Sequence, residues 1–517
     1  MRANPDDCPR ASHFRQSRHG GHLISVAIAV TMSMMALSIG LKLGNLSPLA
    51  GVAGLNDRAP RLEEMLQSSP QTLATEAGAC NCGQLHDGPN VRVSVSQELV
   101  NRLLSQPRID AGPWRQETNM SSIVGERTTN TQLSVRLFPD DDTWRLELLA
   151  DGTITADATV HAGAATFFVD GSGSFHSSKL MAFDGDQIHL ARAEATGDFD
   201  FELNGLQTRM DAVPLFGRIA RDSARSKLRH RQAAVRQKLQ AEVENHARDT
   251  LDRDTTAFVN DAKAQIEIQA LSRLRNLELP LSPVRLQTTQ ERLIGDYYLA
   301  GIDQAGADEP PPTAPDGGLA SVQLHQSAIN NVLDRLQLNA QELDLRDLCR
   351  QVSKVIGQPD ALSLHRVPEG IAFRFAVQQP LHVELRDGRA HLVARLATFR
   401  MNKRRWQDLT VSCAYRLDER SQRPVLQRVG DVEVACPQAR ITDRMVLTRV
   451  FARMFACLDS IQFMPEKLVP DELVSYPGLT NVAVMHCRLD DGWLALALGS
   501  QPSINAGIAE AATLSQH

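Results

Sequence analysis

The chain has 517 residues, of which 42% are hydrophobic, 22% charged and 5% aromatic. This length exceeds what one hydrophobic core usually organises, so we expect two to four domains. The formal net charge of -6 argues against a protein that binds polyanions over its whole surface, and the few aromatic side chains argue against base-stacking platforms for nucleic acid.

A basic leader, residues 1–22, precedes nineteen uncharged residues that begin at Leu23. A helix of this length, at about 1.5 Å per residue, nearly spans a hydrocarbon core about 30 Å thick. We therefore predict a transmembrane signal anchor at residues 23–43. The arginines of the leader place the N-terminus in the cytoplasm and the bulk of the chain in the periplasm or an equivalent extracytoplasmic space. The alternative is a cleaved signal peptide, with the small residues Gly51 and Ala53 before the cleavage site.

Residues 44–90 are rich in Pro, Ser, Gly and Ala, which is typical of a flexible tether. This segment contains the sequence CNC, from Cys80 to Cys82, with His86 nearby. One such pair and one histidine are fewer ligands than a closed zinc site needs, so we predict no metal site here.

The stretch VRVSVSQELVNRLLSQ, which begins at Val91, is repeated in altered form as SVQLHQSAINNVLDRLQ, which begins at Ser321. A shift of 229 positions superposes the two, with Gln97 on Gln326 and Asn101 on Asn330. In both copies the apolar period changes from two to a helical period at the same point, so each is a strand that leads into a helix. Ser96 is a natural N-cap for the first helix.

Similar elements follow each copy: antiparallel hairpins, a helix and a closing hairpin. The sequence therefore predicts an α+β fold made of two homologous domains, residues 91–302 and residues 319–501. Residues 303–318 are proline-rich and predict a linker between them, and residues 502–517 predict a disordered tail.

The first domain contains a long helical stretch with a thin apolar stripe, residues 214–276. Its charges are segregated, because the first half is basic and the second half, from Glu242 to Asp261, is mainly acidic. Basic residues at a helix N-terminus oppose the macrodipole, so we favour a helical hairpin with a break near residues 249–256 over one straight helix.

The basic half of this stretch is a candidate contact for anionic lipid or cell-wall polymer, although runs of charge are more often solvated faces. Its cationic residues are Arg218, Arg221, Arg225, Lys227, Arg229, Arg231, Arg236 and Lys238.

Two cysteines of the second domain lie in step with apolar strand residues: Cys413 with Val411 and Tyr415, and Cys436 with Val434. Both thiols therefore face inward on what we expect to be neighbouring strands. They form either a disulfide between Cys413 and Cys436 or two buried free thiols.

No strong catalytic motif is present. The chain contains no phosphate-binding GxxxxGK[ST] loop, no HExxH helix and no GxSxG elbow. The acidic clusters lie at expected hairpin turns, and the histidines are scattered without metal-ligand spacing. We therefore expect no catalytic residues, no metal and no cofactor.

The duplicated body, whose halves begin SVSQELVNRLL and LHQSAINNVL, resembles tubular lipid-binding domains of the bactericidal/permeability-increasing type, which also consist of two related halves. The resemblance covers residues 91–501 and lies in the architecture and in the strand-to-helix opening. It implies an apolar groove inside each half that holds acyl chains. The long charged helix departs from that pattern.

Together these features predict a membrane-anchored, non-enzymatic envelope protein that binds a hydrophobic or amphipathic ligand. The expected partners are the membrane and either a lipid or an envelope protein, and not nucleic acid. The competing hypothesis is a structural scaffold with fully packed cores, whose charged helical arm docks a protein or an anionic envelope partner.

Overall fold

The computed structural model describes residues 88–500 except 105–106, 119–120, 267–273, 275–277, 314–317, 336–337, 339–341, 345–346, 348–369, 419–423, 463–478 and 480. Within this part of the chain, four α-helices and three sheets of antiparallel strands confirm the predicted α+β class. None of the helices so described is long and apolar enough to cross a membrane. The predicted leader, anchor and tail, and nearly all of the tether with its CNC motif, lie outside the described residues.

The central sheet has six strands in the order β8-β9-β1-β10-β19-β18. Their bounds are Val91–Ser96 for β1, Leu281–Thr288 for β8, Arg292–Leu299 for β9, Ala320–His325 for β10, Val482–Asp490 for β18 and Trp493–Ser500 for β19. Three strands come from each predicted domain. The boundaries of these domains stay a prediction, but the two halves share one sheet.

The second sheet belongs to the first half of the chain and has unusually long strands. Its bounds are Arg108–Thr118 for β2, Ser121–Leu137 for β3, Trp144–Ala162 for β4, Ala165–Phe183 for β5, Ile188–Leu190 for β6 and Glu194–Thr208 for β7. The order is β2-β3-β4-β5, and both β6 and β7 pair with β5.

The third sheet belongs to the second half of the chain. Its bounds are Leu343–Asp344 for β11, Ile371–Phe375 for β12, Leu381–Arg386 for β13, Arg389–Met401 for β14, Arg404–Asp418 for β15, Val425–Ala435 for β16 and Ser460–Gln462 for β17. The helices are α1 (Gln97–Leu104), α2 (Pro214–Ile266), α3 (Gln326–Asp334) and α4 (Ile441–Met454), and a 3₁₀ turn (Phe455–Leu458) follows α4.

The two opening strands, β1 and β10, pair with each other at the middle of the central sheet. Val93 lies opposite Val322, the position that the sequence repeat makes equivalent to it. The backbone N–H of Ser96 donates to the carbonyl of Leu319 at 2.8 Å, and the N–H of His325 donates to the carbonyl of Asn90 at 2.9 Å. Because these two bonds also join equivalent positions, a local twofold relation holds between the strands.

One hydrophobic core includes side chains from both halves. Alternate residues of β1 and β10 face it, among them Val93 and Val322, which are 3% and 1% exposed. Helix α1 adds Leu99 and Leu103 to this core, and α3 adds Val332. The two halves are therefore joined by apolar packing as well as by strand pairing.

A second core lies under the third sheet and is covered by α4. Leu447 and Phe451 of this helix are almost completely buried against it. The ring of Phe451 lies 4.8 Å from that of Phe399, which in turn packs against Trp406.

The opening helices α1 and α3 each hold the edge of a neighbouring strand by the same side-chain contacts. The Asn101 amide nitrogen donates to the Val135 carbonyl at 3.1 Å, and its oxygen accepts from the Val135 N–H at 2.6 Å. Asn330 does the same with Val383, at 2.9 and 2.7 Å. One turn earlier, the amide oxygens of two glutamines accept from backbone N–H groups two residues further along the same strands, Gln97 from Leu137 and Gln326 from Leu385.

Helix α2 is a single helix from Pro214 to Ile266, so the favoured helical hairpin is wrong. At about 1.5 Å per residue it is about 80 Å long. The region where we expected a break is held straight by the sheet, because Leu251 and Thr255 are buried against it and Asp252 binds Lys179 of β5. Contacts with the sheet thus hold this part of the helix, and no fold-back onto the basic half is needed to keep it in place.

The predicted linker lies against the central sheet. Ala307 forms an antiparallel bridge with Gly88, and the carbonyl of Pro311 accepts a hydrogen bond from the Arg92 guanidinium at 3.4 Å. Asp308 lies 3.3 Å from the ring of His325. Outside residues 314–317, this segment packs along the polar side of β1 and β10 as a strap.

Candidate functional site

The basic half of α2 stands away from the rest of the fold on most of its sides. Only a thin line of side chains, including Leu228, Val235 and Leu239, is half-buried toward the sheet. In the second half, Val243 and Leu251 are almost completely buried. The apolar stripe thus widens along the helix, and this explains why its second half is docked and its first half is exposed.

All eight cationic side chains of the predicted contact surface are exposed. Two of them form ion pairs: Arg236 binds Asp200 of β7 at 2.7 Å, and Arg221 lies 3.5 Å from Asp211. The other six have no ion pair with any described residue: Arg218, Arg225, Lys227, Arg229, Arg231 and Lys238. We call these eight residues the basic face.

Two carboxylates in the acidic half of α2 form ion pairs with the sheet. The Asp252 carboxylate accepts from the Lys179 ammonium at 2.6 Å and from the Ala193 N–H at 3.0 Å. Asp254 binds Arg108 of β2. These two carboxylates therefore bind the sheet and do not compensate the positive charge of the basic face.

Four large apolar side chains are exposed immediately beside the basic face, and the sequence reading did not single them out. Met210, Val213, Phe216 and Ile219 are 55%, 46%, 64% and 65% exposed. Their spacing of three residues could have indicated them, because it carries an apolar row from the turn after β7 into the first turns of α2. We call these four residues the apolar tip.

The outer face of the second sheet has two open concavities, of about 610 and 460 Å³. Their lining is largely polar and includes Asp151, His176, Ser174 and Asp198. The ring of His176 lies 2.7 Å from Asp151. Hydrogen bonds from the hydroxyl and backbone N–H of Ser174 lower the pKa of Asp198. A carboxylate with a lowered pKa is a weak base, so Asp198 is poorly suited to activate the Ser174 hydroxyl as a nucleophile.

Of the two alternatives for Cys413 and Cys436, the structure has the second, two buried free thiols. Ala435 lies opposite Thr410, so Cys436 is displaced from Cys413 by about four residues, or about 13 Å, along the strand pair. This exceeds the Cα separation of about 7 Å that a disulfide tolerates. The Cys413 thiol contacts the Tyr415 hydroxyl at 3.5 Å, and burial raises the pKa of Cys413.

In the part of the chain that the structure describes, no group of three or more His, Cys, Asp or Glu side chains is arranged to hold a metal ion.

No protein-family model and no curated protein sequence matches the chain. Among solved structures, the chain is similar to a lipopolysaccharide binding protein, with a TM-score of 0.31 and 9% sequence identity over 80% of this chain and 99% of that one. This is a weak likeness of architecture and extends no further.

Proposed function

We propose that this protein is a non-enzymatic envelope protein, anchored by residues 23–43 with its bulk outside the cytoplasm, that binds anionic amphipathic lipid. The observation that carries the proposal is the basic face of α2, where eight exposed cations lie on one half of a helix and six have no described ion-pair partner.

The charge of the basic face suits a lipid surface. A Lys or Arg near an anionic membrane contributes about 1 kcal/mol. The attraction decays over a Debye length of about 8 Å at physiological ionic strength. Several cations that reach one surface together are therefore sufficient for binding, and that binding depends on salt.

The packing of the second sheet supports a contact at the helix surface more than a ligand inside the fold. Phe199 and Ile154 are buried against Val243 of α2, and Phe175 and Phe201 pack around them. The face of the sheet that could line an interior groove is thus occupied by the protein's own helix at this level. We place the lipid headgroups against the basic face.

We also infer that the two halves of the chain arose by duplication. The pairing of Val93 with Val322, and the matching contacts of Asn101 and Asn330, are what two copies related by a twofold axis would retain. In this proposal the shared central sheet is the rigid base from which α2 and the long strands project.

The test is capture of lipid vesicles by the full chain held in nanodiscs of neutral phosphatidylcholine. We expect capture of vesicles that contain phosphatidylglycerol, loss of capture as salt is raised, and little capture of pure phosphatidylcholine. Reversal of four charges, Arg225→Glu, Lys227→Glu, Arg229→Glu and Arg231→Glu, should weaken capture at least tenfold, or about 1.4 kcal/mol.

A matched control makes the same change in net charge on the second half of the chain, at four exposed cations: Arg374→Glu, Arg389→Glu, Lys403→Glu and Arg405→Glu. This variant should capture vesicles like the wild type. Equal loss in both variants would mean that only net charge matters. If the wild type captures no anionic vesicles at low salt, the proposal is wrong and a protein partner for the basic face becomes the better hypothesis.

A further inference from the structure

The apolar tip lies at the far end of the second sheet. Thr208, the last residue of β7, pairs with Ala165, and the next N–H, that of Arg209, donates to Ala164 at 3.1 Å. The tip therefore lies at the same end of the sheet as the turn between β4 and β5. Strand β3 runs 17 residues from this end of the sheet to the contact with α1, or about 55 Å at about 3.3 Å per residue.

This distance separates the apolar tip from both large cores. Its side chains belong to none of the clusters of buried residues that the structure describes. Large apolar side chains exposed together on a soluble domain usually mark an interaction surface. Stability of the fold therefore does not explain why this row is apolar.

The backbone that presents the tip is well defined. The N–H of Val213 donates to the carbonyl of Met210 at 2.9 Å, and the N–H of Gly217 donates to Val213 at 2.8 Å. A close approach favours Gly217, because a Cβ at this position would lie 3.0 Å from the backbone of Asp211 and from the Met210 carbonyl. The first turn of α2 is thus packed directly onto the preceding turn.

The charges around the tip favour an anionic surface. Arg209 directly precedes the tip, Arg218 lies between Phe216 and Ile219, and both are exposed. The nearest acid, Asp211, accepts from the Thr208 N–H and hydroxyl, which lower its pKa, and lies close to Arg221. Its negative charge is therefore compensated within the protein, and the exposed cations Arg209, Arg218 and Arg225 outnumber the other nearby exposed acid, Asp222.

From this arrangement we infer that the tip is a membrane-inserting wedge: Met210, Val213, Phe216 and Ile219 enter the acyl region of an anionic bilayer while the basic face lies over the headgroups. An apolar row beside a basic helical face is the arrangement that binds at a membrane interface, with the apolar groups about 5–10 Å into the boundary between headgroups and acyl chains. The inference rests on the proposed function and adds insertion to it.

The experiment adds a tryptophan at the tip, Phe216→Trp, in the full chain held in neutral nanodiscs. Vesicles of phosphatidylglycerol and phosphatidylcholine carry bromine on their acyl chains. We expect quenching of the added fluorescence at low salt and a shift of the emission to the blue. The matched control, Ile441→Trp, places the probe at an exposed apolar site of α4, 76% exposed in the wild type, and should not be quenched.

A second pair of variants measures the contribution of insertion to binding. Phe216→Asp with Ile219→Asp should weaken capture of anionic vesicles at least tenfold at moderate salt. Ile441→Asp with Met445→Asp, at two exposed apolar positions of α4, should leave capture unchanged. Both pairs lie on the surface, so unchanged circular dichroism and thermal unfolding will verify the fold.

The outcomes separate insertion from the proposed function. If the tip tryptophan is not quenched and the tip aspartates capture vesicles like the wild type, while reversal of the basic face abolishes capture, insertion is wrong and surface binding stands. If the wild type captures no anionic vesicles, both are wrong. Quenching of Phe216→Trp without quenching of Ile441→Trp, together with weaker capture by the tip aspartates, supports insertion.

Discussion

Val93 lies directly opposite Val322 in antiparallel register, and the same two residues are equivalent in the sequence repeat. An antiparallel pair of identical strands has a twofold axis between the residues that face their own copies. The strand order β8-β9-β1-β10-β19-β18 is symmetric about that axis. The hairpin of β9 and β8 lies beside β1 just as the hairpin of β19 and β18 lies beside β10. The repeated motif thus builds both the centre of the sheet and the connection between the halves.

The paired asparagines allow this equivalence to be tested. Asn101→Ala removes two hydrogen bonds to Val135, and Asn330→Ala removes two to Val383. Since the freed backbone groups are partly buried, we expect each change to lower the free energy of unfolding by about 1–3 kcal/mol. Urea unfolding followed by circular dichroism measures this difference.

The control for these variants is Asn245→Ala, at an exposed asparagine of α2. It should change the free energy of unfolding by less than about 0.5 kcal/mol. A large effect of Asn101→Ala together with none of Asn330→Ala would mean that the two contacts are not equivalent in energy.

Local patterns in the sequence predicted the opening elements closely. The period change at Ser96 marks the actual start of α1, and the Ser96 hydroxyl accepts from the Leu99 N–H as expected of an N-cap. In the second copy the helix begins at Gln326. Its N-cap residue is His325, whose side chain accepts a hydrogen bond from the Ser327 N–H. These features depend on neighbours within a few residues, and so the sequence contains them directly.

Features that depend on pairing between distant segments could not be predicted in this way. The hairpin prediction for α2 considered only the helix's own charges, whereas Lys179 and Arg108 of the sheet pair with two carboxylates of its acidic half. The position of Cys436 relative to Cys413 depends on strand register, which alternation alone leaves undetermined. The apolar tip was overlooked because Phe216 and Ile219 lie in the predicted helical stretch and could equally have been its core positions, while Met210 and Val213 precede that stretch.

Lys179 and Asp252 form an ion pair, and we expect removal of Asp252 to destabilise the fold more than removal of Lys179. Lys179 is 4% exposed, whereas the Asp252 side chain is 31% exposed. Asp252→Ala leaves a buried ammonium unpaired, and we expect it to cost about 2–3 kcal/mol, less than for a fully buried pair because Asp252 reaches solvent. Lys179→Met should cost less than about 1 kcal/mol.

Chemical unfolding of the two single variants measures this asymmetry, and Arg253→Ala, at an exposed neighbour of Asp252, serves as the control. Equal losses for Asp252→Ala and Lys179→Met would contradict the prediction, since they would mean that the lysine finds solvent once its partner is removed.

Because Cys413 and Cys436 are buried, we predict that they are alkylated only when the chain is unfolded. Burial raises the pKa of Cys413, and neither Cys413 nor Cys436 is accessible in the folded chain. With a thiol reagent at about pH 8, near the usual thiol pKa, both should react only after unfolding. Peptide mass spectrometry after unfolding without a reductant should find both alkylated. Resistance of both to the reagent under those conditions would show a bond to another thiol.

From the surroundings of His325, which lies between the strap and α3, we predict that the fold is less stable in acid. Its ring is buried, its Nδ1 accepts from the Ser327 N–H at 3.3 Å, and its Nε2 lies 3.3 Å from Asp308 without hydrogen-bond geometry. Burial lowers the pKa of His325, and the Asp308 carboxylate offsets this only in part. The unfolded chain therefore binds more protons, so stability is full above about pH 6.5 and is lost as the pH falls below it.

Thermal unfolding at about pH 7.5 and about pH 5.5, on either side of the unperturbed histidine pKa, tests this prediction. His325→Asn retains an N-cap side chain that does not titrate, so its Tm should decrease less on acidification than that of the wild type. Asp308→Asn removes the charge that raises the pKa of His325, so its loss of stability should extend to lower pH. Parallel pH dependence in all three chains would mean that other groups, such as His246 and His391, whose pKa values are also lowered by burial, dominate the acid response.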